Sequence, residues 1–205
     1  MIKIYLVGIS CVGKSSIGKL LAEELGFSFY DFDTEIEKYF GKPIEYIQEK
    51  HIFSYDFREE TKIVLKELLG KKENSVIASC PSGLRDVYLA ECKKFGKKRE
   101  STFISIYISD KPENILERLT FYDKESRLLD VELSDEEKRH YLKEVNKDIT
   151  FFKKFNVRAN HEFNVDGLSL DNIPKLIIDF LETENEEFKR YRMQSISQNS
   201  KSSLI

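Results

Sequence analysis

The chain has 205 residues, 40% of them hydrophobic, and 33 Lys and Arg against 36 Asp and Glu give a formal charge of −3. That length suits one domain with a real core, and the near-balance of charge carries no basic signature for nucleic acid. No apolar run approaches the ~20 residues that span a bilayer, the N-terminus enters a strand without a signal-peptide pattern, and the three unevenly spaced cysteines form neither a disulfide framework nor a zinc site; a cytoplasmic protein with neither nucleic-acid nor membrane partners is expected.

Ile2 to Val7 is an apolar, β-branched run, and Gly8-Ile9-Ser10-Cys11-Val12-Gly13-Lys14-Ser15 follows it directly. This is G-x-x-x-x-G-K-[ST] between a strand and a helix, the context the motif requires. Gly8 leaves the strand in a tight turn and Gly13 lets the backbone approach phosphate. The N–H groups of Ser10, Cys11, Val12, Gly13, Lys14, Ser15 and Ser16 then form an anion nest at a helix N-terminus. Lys14 is expected on the β/γ-phosphates of ATP and the Ser15 hydroxyl on Mg²⁺.

A helix is expected from Ser15 to Leu25, stopped by Gly26, with Ile17, Leu20, Leu21 and Leu25 at helical spacing. Phe27 to Tyr30 reads as a second strand ending in Asp31-Phe32-Asp33-Thr34. These two carboxylates stand at a strand's carboxyl end, the edge where open α/β sheets bind ligands, and Asp33 or Thr34 is also a candidate N-cap for Glu35–Phe40. A short helix over Ile44–Glu49 and a longer one over Phe53–Leu69 follow, the second carrying Arg58 in its first turns. Ser75–Ala78 is a buried strand ending in Ser79-Cys80-Pro81-Ser82-Gly83, with a helix from Leu84 to Lys94 after it. Thr102–Ser109 is another strand, followed by a helix from Asp110 to Leu119. Thr120 to Ser134, polar and without apolar periodicity, reads as a mobile lid at about 119–135 and contains Arg127. Ser134-Asp135-Glu136-Glu137 opens a helix reaching about Lys154; Glu162–Val165 is a last strand and Leu170–Leu181 a last helix. The domain is expected to end near 182, leaving 183–205 as a charged, then Ser-rich tail disordered at its end. Five strands alternating with helices imply an α/β fold with a parallel sheet covered on both faces.

These landmarks resemble the shikimate kinase family of P-loop kinases, from Ile2 to about Leu181. After the phosphate loop come Ile17-Gly18-Lys19-Leu20-Leu21-Ala22, Phe29-Tyr30-Asp31-Phe32-Asp33 in place of the family's D-x-D, Ile36-Glu37 with Gly41-Lys42-Pro43-Ile44, and Phe57-Arg58-Glu59-Glu60. The resemblance implies strand order 2-3-1-4-5, ATP and Mg²⁺ as cofactors, and a small polyol or hydroxy acid as substrate. It assigns Asp31 to Mg²⁺ through water, and Asp33 to the acceptor hydroxyls and their proton. Arg58 falls to the substrate carboxylate, Arg118 to the adenine and Arg127 to the transferring phosphoryl group from the lid, with Asp166-Gly167 in the adenine loop.

The chain also departs from the family. Its substrate-touching glycine triplet reads Cys80-Pro81-Ser82 here, leaving Ser82 as a substrate candidate, and the lid lacks its proline at Arg127-Leu128-Leu129. The second carboxylate-binding arginine, from the helix after the lid, falls on Asp148, with Lys147 beside it and Arg139, Arg85 and Arg158 as other cations. The expected activity is phosphoryl transfer from ATP to a small-molecule hydroxyl. The alternatives are a nucleotide-binding module with a degraded acceptor site, or a kinase for a different polyol or a nucleoside. Cys11 and Cys80 lie at the ends of strands expected to be adjacent, but two small residues without a bridge is the preferred reading.

Overall fold

In the computed structural model, backbone is described for residues 1–202 except 124 and 126, and side chains for those up to 195. The order is β1 (Ile2–Val7), α1 (Lys14–Leu25), β2 (Ser28–Asp31), α2 (Phe32–Phe40), α3 (Ile44–Glu49), α4 (Ser54–Gly70), β3 (Ser75–Ala78), α5 (Asp86–Gly96) and β4 (Thr102–Ser109). Then come α6 (Pro112–Glu117), β5 (Phe121–Tyr122), β6 (Leu128–Leu129), α7 (Asp135–Asn156), β7 (His161–Asn164), α8 (Ile173–Glu184) and α9 (Glu186–Ser202). Five strands form one parallel sheet in the order β2-β3-β1-β4-β7, the 2-3-1-4-5 arrangement the resemblance implies.

Period-two alternation along β1 builds two cores. Ile4 and Leu6 point to one face, with Ile104, Ile106 and Ile108 of β4, Ile17 and Leu21 of α1, and Ile177 and Leu181 of α8. Tyr5 and Val7 point to the other, with Val64, Leu65 and Leu68 of α4 and Tyr88 of α5. All six residues of β1 are buried, as a central parallel strand requires. Lys3 is among them: its Nζ donates to the Glu73 carbonyl, and burial lowers its pKa to about 8.

α1 closes tightly on β2 because residue 18 is glycine, where a Cβ would lie 2.7 Å from the Phe29 ring. Gly26, at φ +67, ends α1. Ser134 and Glu137 form a capping box at the start of α7.

Three local expectations need correction. The N-cap of α2 is Asp31, not Asp33 or Thr34: its carboxylate accepts from both of their backbone N–H groups. The lid stretch contains a short antiparallel pair, β5 with β6, which its lack of periodicity concealed; residues 124 and 126 of the lid lie outside the described residues. The core does not stop near 182. Phe188 of α9 is fully buried, and Tyr191 packs edge-on to Phe27 while its hydroxyl accepts from Asn74. Two aromatic residues three apart anchor an otherwise charged helix, a signal too sparse to stand out as periodicity. The backbone remains helical to Ser202, through much of the segment expected to be disordered; residues 203–205 lie outside the described ones.

Candidate active site

The phosphate loop links β1 to α1. Gly8 has φ +152, and a Cβ there would lie 2.7 Å from the Ile108 carbonyl oxygen of the neighbouring strand; Gly13, the N-cap of α1, has φ +99. Cys11 is also left-handed, at φ +59. Positive φ at Gly8, Cys11 and Gly13 bends the loop over the α1 N-terminus, where backbone N–H groups favour an anion. The Lys14 Nζ bends back onto the loop, donating to the carbonyls of Gly8 at 3.0 Å and Ile9 at 2.7 Å. Burial lowers its pKa, while Asp33 and Asp31 oppose that shift.

The carboxyl end of β2 lies opposite. Ser15 Oγ donates to Asp31 Oδ2 at 2.5 Å, so the hydroxyl that opens α1 and the carboxylate that caps α2 face each other. Asp33, on the first turn of α2, has its pKa raised to about 6, first by burial and then by the Asp31 charge; Lys14 pulls it the other way.

Ser10, Cys11, Lys14, Ser15, Asp31 and Asp33 line a single cavity of about 640 Å³, together with Thr34, Glu37, Glu45, Gln48, Ser79, Pro81, Thr120 and Tyr122. Thr120 and Tyr122 come from the lid and were not singled out in the sequence. A lone Tyr in a polar loop offers no spacing to mark it.

Among the described residues no cluster of at least three His, Cys, Asp or Glu could hold a metal. Ser15 and Asp31 present hard oxygen donors, which fit Mg²⁺ bound by one or two protein oxygens with phosphates and waters completing its shell.

A second cavity, of about 420 Å³, adjoins the first and shares Gln48 and Pro81 with it. Arg58, Ser82, Cys80, His51, Phe57 and Phe152 are in its wall. Arg58 is only 2% exposed. Its Nη2 donates to Asp86 Oδ2 at 2.6 Å, and its buried Nε has no hydrogen-bond acceptor. Asp86, the first residue of α5, was not a candidate because the helix was expected to begin at Leu84.

α7 turns Phe152, not a cation, toward this cavity. Lys147 instead pairs with Glu144 on the surface, and the partly buried Asp148 has its pKa raised by that burial and by Glu144. Arg85 lies 3.2 Å from the same Asp86 oxygen and is stacked over Phe155, while Arg158 donates to the Leu84 carbonyl.

Arg118, Arg127 and Asp166 line neither cavity. Arg118 donates through Nε to the Cys11 carbonyl at 3.2 Å, which sets it against the phosphate loop, and pairs with Asp110. Arg127 is turned outward, 71% exposed, and pairs with Asp123 and Glu125 within the lid. Asp166 pairs with Lys111. Cys11 and Cys80 are free thiols, and burial pushes the Cys80 pKa up to about 12.

Comparison with known proteins gives this geometry a family. The family model described as "Shikimate kinase" matches residues 10–191. A shikimate kinase of Persephonella marina is 40% identical over 118 residues, spanning 58% of this chain and 67% of the relative. One of Acinetobacter baumannii is 36% identical over 140 residues, 68% of this chain and 73% of the relative. The solved structure of "Shikimate kinase from Acinetobacter baumannii in complex with shikimate" superposes with a TM-score of 0.65 at 29% identity, covering 90% of this chain and 94% of that one. The chain belongs to the shikimate kinase family, as a small-molecule kinase that uses ATP and Mg²⁺.

Proposed function

We propose that this chain transfers the γ-phosphoryl group of ATP to a hydroxyl of shikimate, or of a closely related polyhydroxylated acid, in the cleft between Lys14 and Asp33. One observation carries this reading. The loop lysine, the Ser15–Asp31 pair and the Asp33 carboxylate line one cavity, and a second cavity holding Arg58 adjoins it.

In this reading the nest at Gly8–Ser15 binds the triphosphate, and Lys14 moves from the carbonyls of Gly8 and Ile9 to the β/γ-phosphates. Ser15 and Asp31 hold Mg²⁺, which when bound neutralises phosphate charge. Asp33 hydrogen-bonds the acceptor hydroxyl and takes its proton as the oxygen attacks in line. A carboxylate whose pKa is about 6 is mostly ionised at pH 7.5, yet basic enough to accept that proton. The acceptor ring lies across the shared Gln48 and Pro81 wall with its carboxylate toward Arg58. Arg127 swings in as the lid closes and steadies the transferring phosphoryl group. Arg118, anchored to the Cys11 carbonyl of the loop, packs against the adenine.

No helix of the described residues is long and apolar enough to cross a membrane. The three unpaired thiols fit a reducing cytoplasm. The test is ADP release coupled to shikimate addition. Acceptor-dependent turnover that Lys14→Ala abolishes supports this reading; acceptor-independent ATP hydrolysis alone favours the nucleotide-binding module.

A further inference from the structure

Arg58 does not wait in an open site. Its Nη2 is held by Asp86 Oδ2 at 2.6 Å, and Arg85 Nε approaches the same oxygen at 3.2 Å. Asp86 adopts a left-handed backbone, φ +46, at the very start of α5, a conformation uncommon for any residue but glycine and tolerated best by Asn and Asp. This backbone puts a carboxylate of the protein itself onto the guanidinium that lines the smaller cavity. The arrangement is incomplete as an ion pair. Asp86 occupies Arg58 through Nη2 alone, and the Nε atoms of both Arg58 and Arg85 are buried without a well-formed hydrogen bond. A guanidinium offers a fork of donors that a carboxylate can fill with both oxygens, and here much of the fork is unfilled. Two guanidinium groups against one carboxylate also leave the cluster with net positive charge.

We propose that Asp86 sets acceptor selectivity: it is an internal carboxylate seated on Arg58, the guanidinium that lines the smaller cavity, and a carboxylated acceptor reaches that guanidinium only by displacing it or by binding against its charge. The consequence is direct. Asp86 offsets part of the pull of the guanidinium groups on an acceptor's carboxylate, whereas a neutral polyol of the same shape is not affected by that loss. The selectivity of the pocket therefore resides in residue 86 as much as in Arg58. No cation of α7 enters this wall, where Phe152 stands, so α7 adds nothing to that pull. This inference rests on the acceptor placement proposed above.

Asp86→Asn keeps the side-chain shape and the tolerance for positive φ while removing the charge. Asp86→Gly, equally tolerant of that backbone, is the second variant should the first fail to fold, with circular dichroism as the check. kcat/KM is measured for shikimate and for its neutral methyl ester in wild type and variant. The expected result is a rise of at least about tenfold in the shikimate-to-ester ratio, carried by a lower KM for shikimate. An unchanged or reduced ratio would overturn the inference, because Asp86 would then only orient Arg58. Should neither acceptor be phosphorylated by either protein while Lys14-dependent ATP hydrolysis persists, the proposed acceptor reaction is what fails. Calorimetric shikimate affinity then decides the role of Asp86: about tenfold tighter binding in Asp86→Asn supports it, and equal binding overturns it.

Discussion

Ser15 Oγ donates to Asp31 Oδ2 at 2.5 Å, tying the first turn of α1 to the carboxyl end of β2. β2 does not neighbour β1 in the sheet; β3 lies between them. The pair is therefore made across the mouth of the cleft, and Asp31 contributes to it while also capping α2 through its other oxygen. One carboxylate thus fixes both the Mg²⁺-side oxygens and the helix that carries Asp33. Asp31→Ala should remove the cap, at about 1 kcal/mol of stability, and should raise the Mg²⁺ concentration for half-maximal activity about tenfold or more. Thermal melts and Mg²⁺ titrations of the variant check the two effects separately.

Asp33 makes a pH prediction with a defined sign. Its folded pKa is raised from 3.8 to about 6, so between these values the native state binds more protons than the unfolded chain. The contribution of Asp33 to stability therefore falls as pH rises through that window, and above pH 6 its buried charge is a net cost. Asp33→Asn should be more stable than wild type at pH 7.5, by on the order of 3 kcal/mol, with most of the difference gone near pH 4. The same variant should lose kcat by at least about a hundredfold as the proton acceptor disappears. In wild type, kcat/KM should rise with pH through an acid limb near the Asp33 pKa. A flat profile between pH 5 and 7 would remove Asp33 from the chemistry.

Phe188 tests whether α9 belongs to the domain. It is fully buried in the same core as Ile177 and Leu181. Phe188→Ala should destabilise the protein by about 3–5 kcal/mol, as deletion of a buried aromatic ring does. Truncation after Glu184 should cost at least as much, since it also removes the Tyr191 hydroxyl from Asn74. Denaturant melts measure both, and a truncated chain as stable as the full one would make α9 an appendage.

The sheet was legible because its central strands are continuous apolar runs: Ile2–Val7 and Phe103–Ile108 can hardly be anything but buried parallel strands. The phosphate loop was legible because its chemistry needs fixed residue types at fixed spacing. The acceptor side was not, because its partners meet only in the folded chain. Arg58 and Asp86 are separated by 28 residues, and the positive φ that brings them together leaves no mark on an Asp-Val-Tyr sequence. Tyr122 reaches the cleft and Phe188 reaches the core for the same reason, through long-range packing rather than local pattern.

Arg127 gives a prediction about motion. It is exposed and held by Asp123 and Glu125 within the lid, and the lid residues on the cleft are Thr120 and Tyr122. Arg127→Ala should lower kcat by about tenfold to a hundredfold while leaving acceptor binding nearly unchanged, since the side chain would act only when the lid closes. A rise in acceptor KM with kcat preserved would place it in ground-state binding instead.

Lys14 carries the most direct test. Phosphoryl transfer from ATP·Mg²⁺ to shikimate is followed by product formation in wild type and in Lys14→Ala. The expected result is acceptor-dependent formation of a phosphorylated product in wild type and a loss of at least about a hundredfold in the variant, with the fold intact by circular dichroism. Equal turnover by both proteins would contradict the assignment of this cleft as the site of transfer.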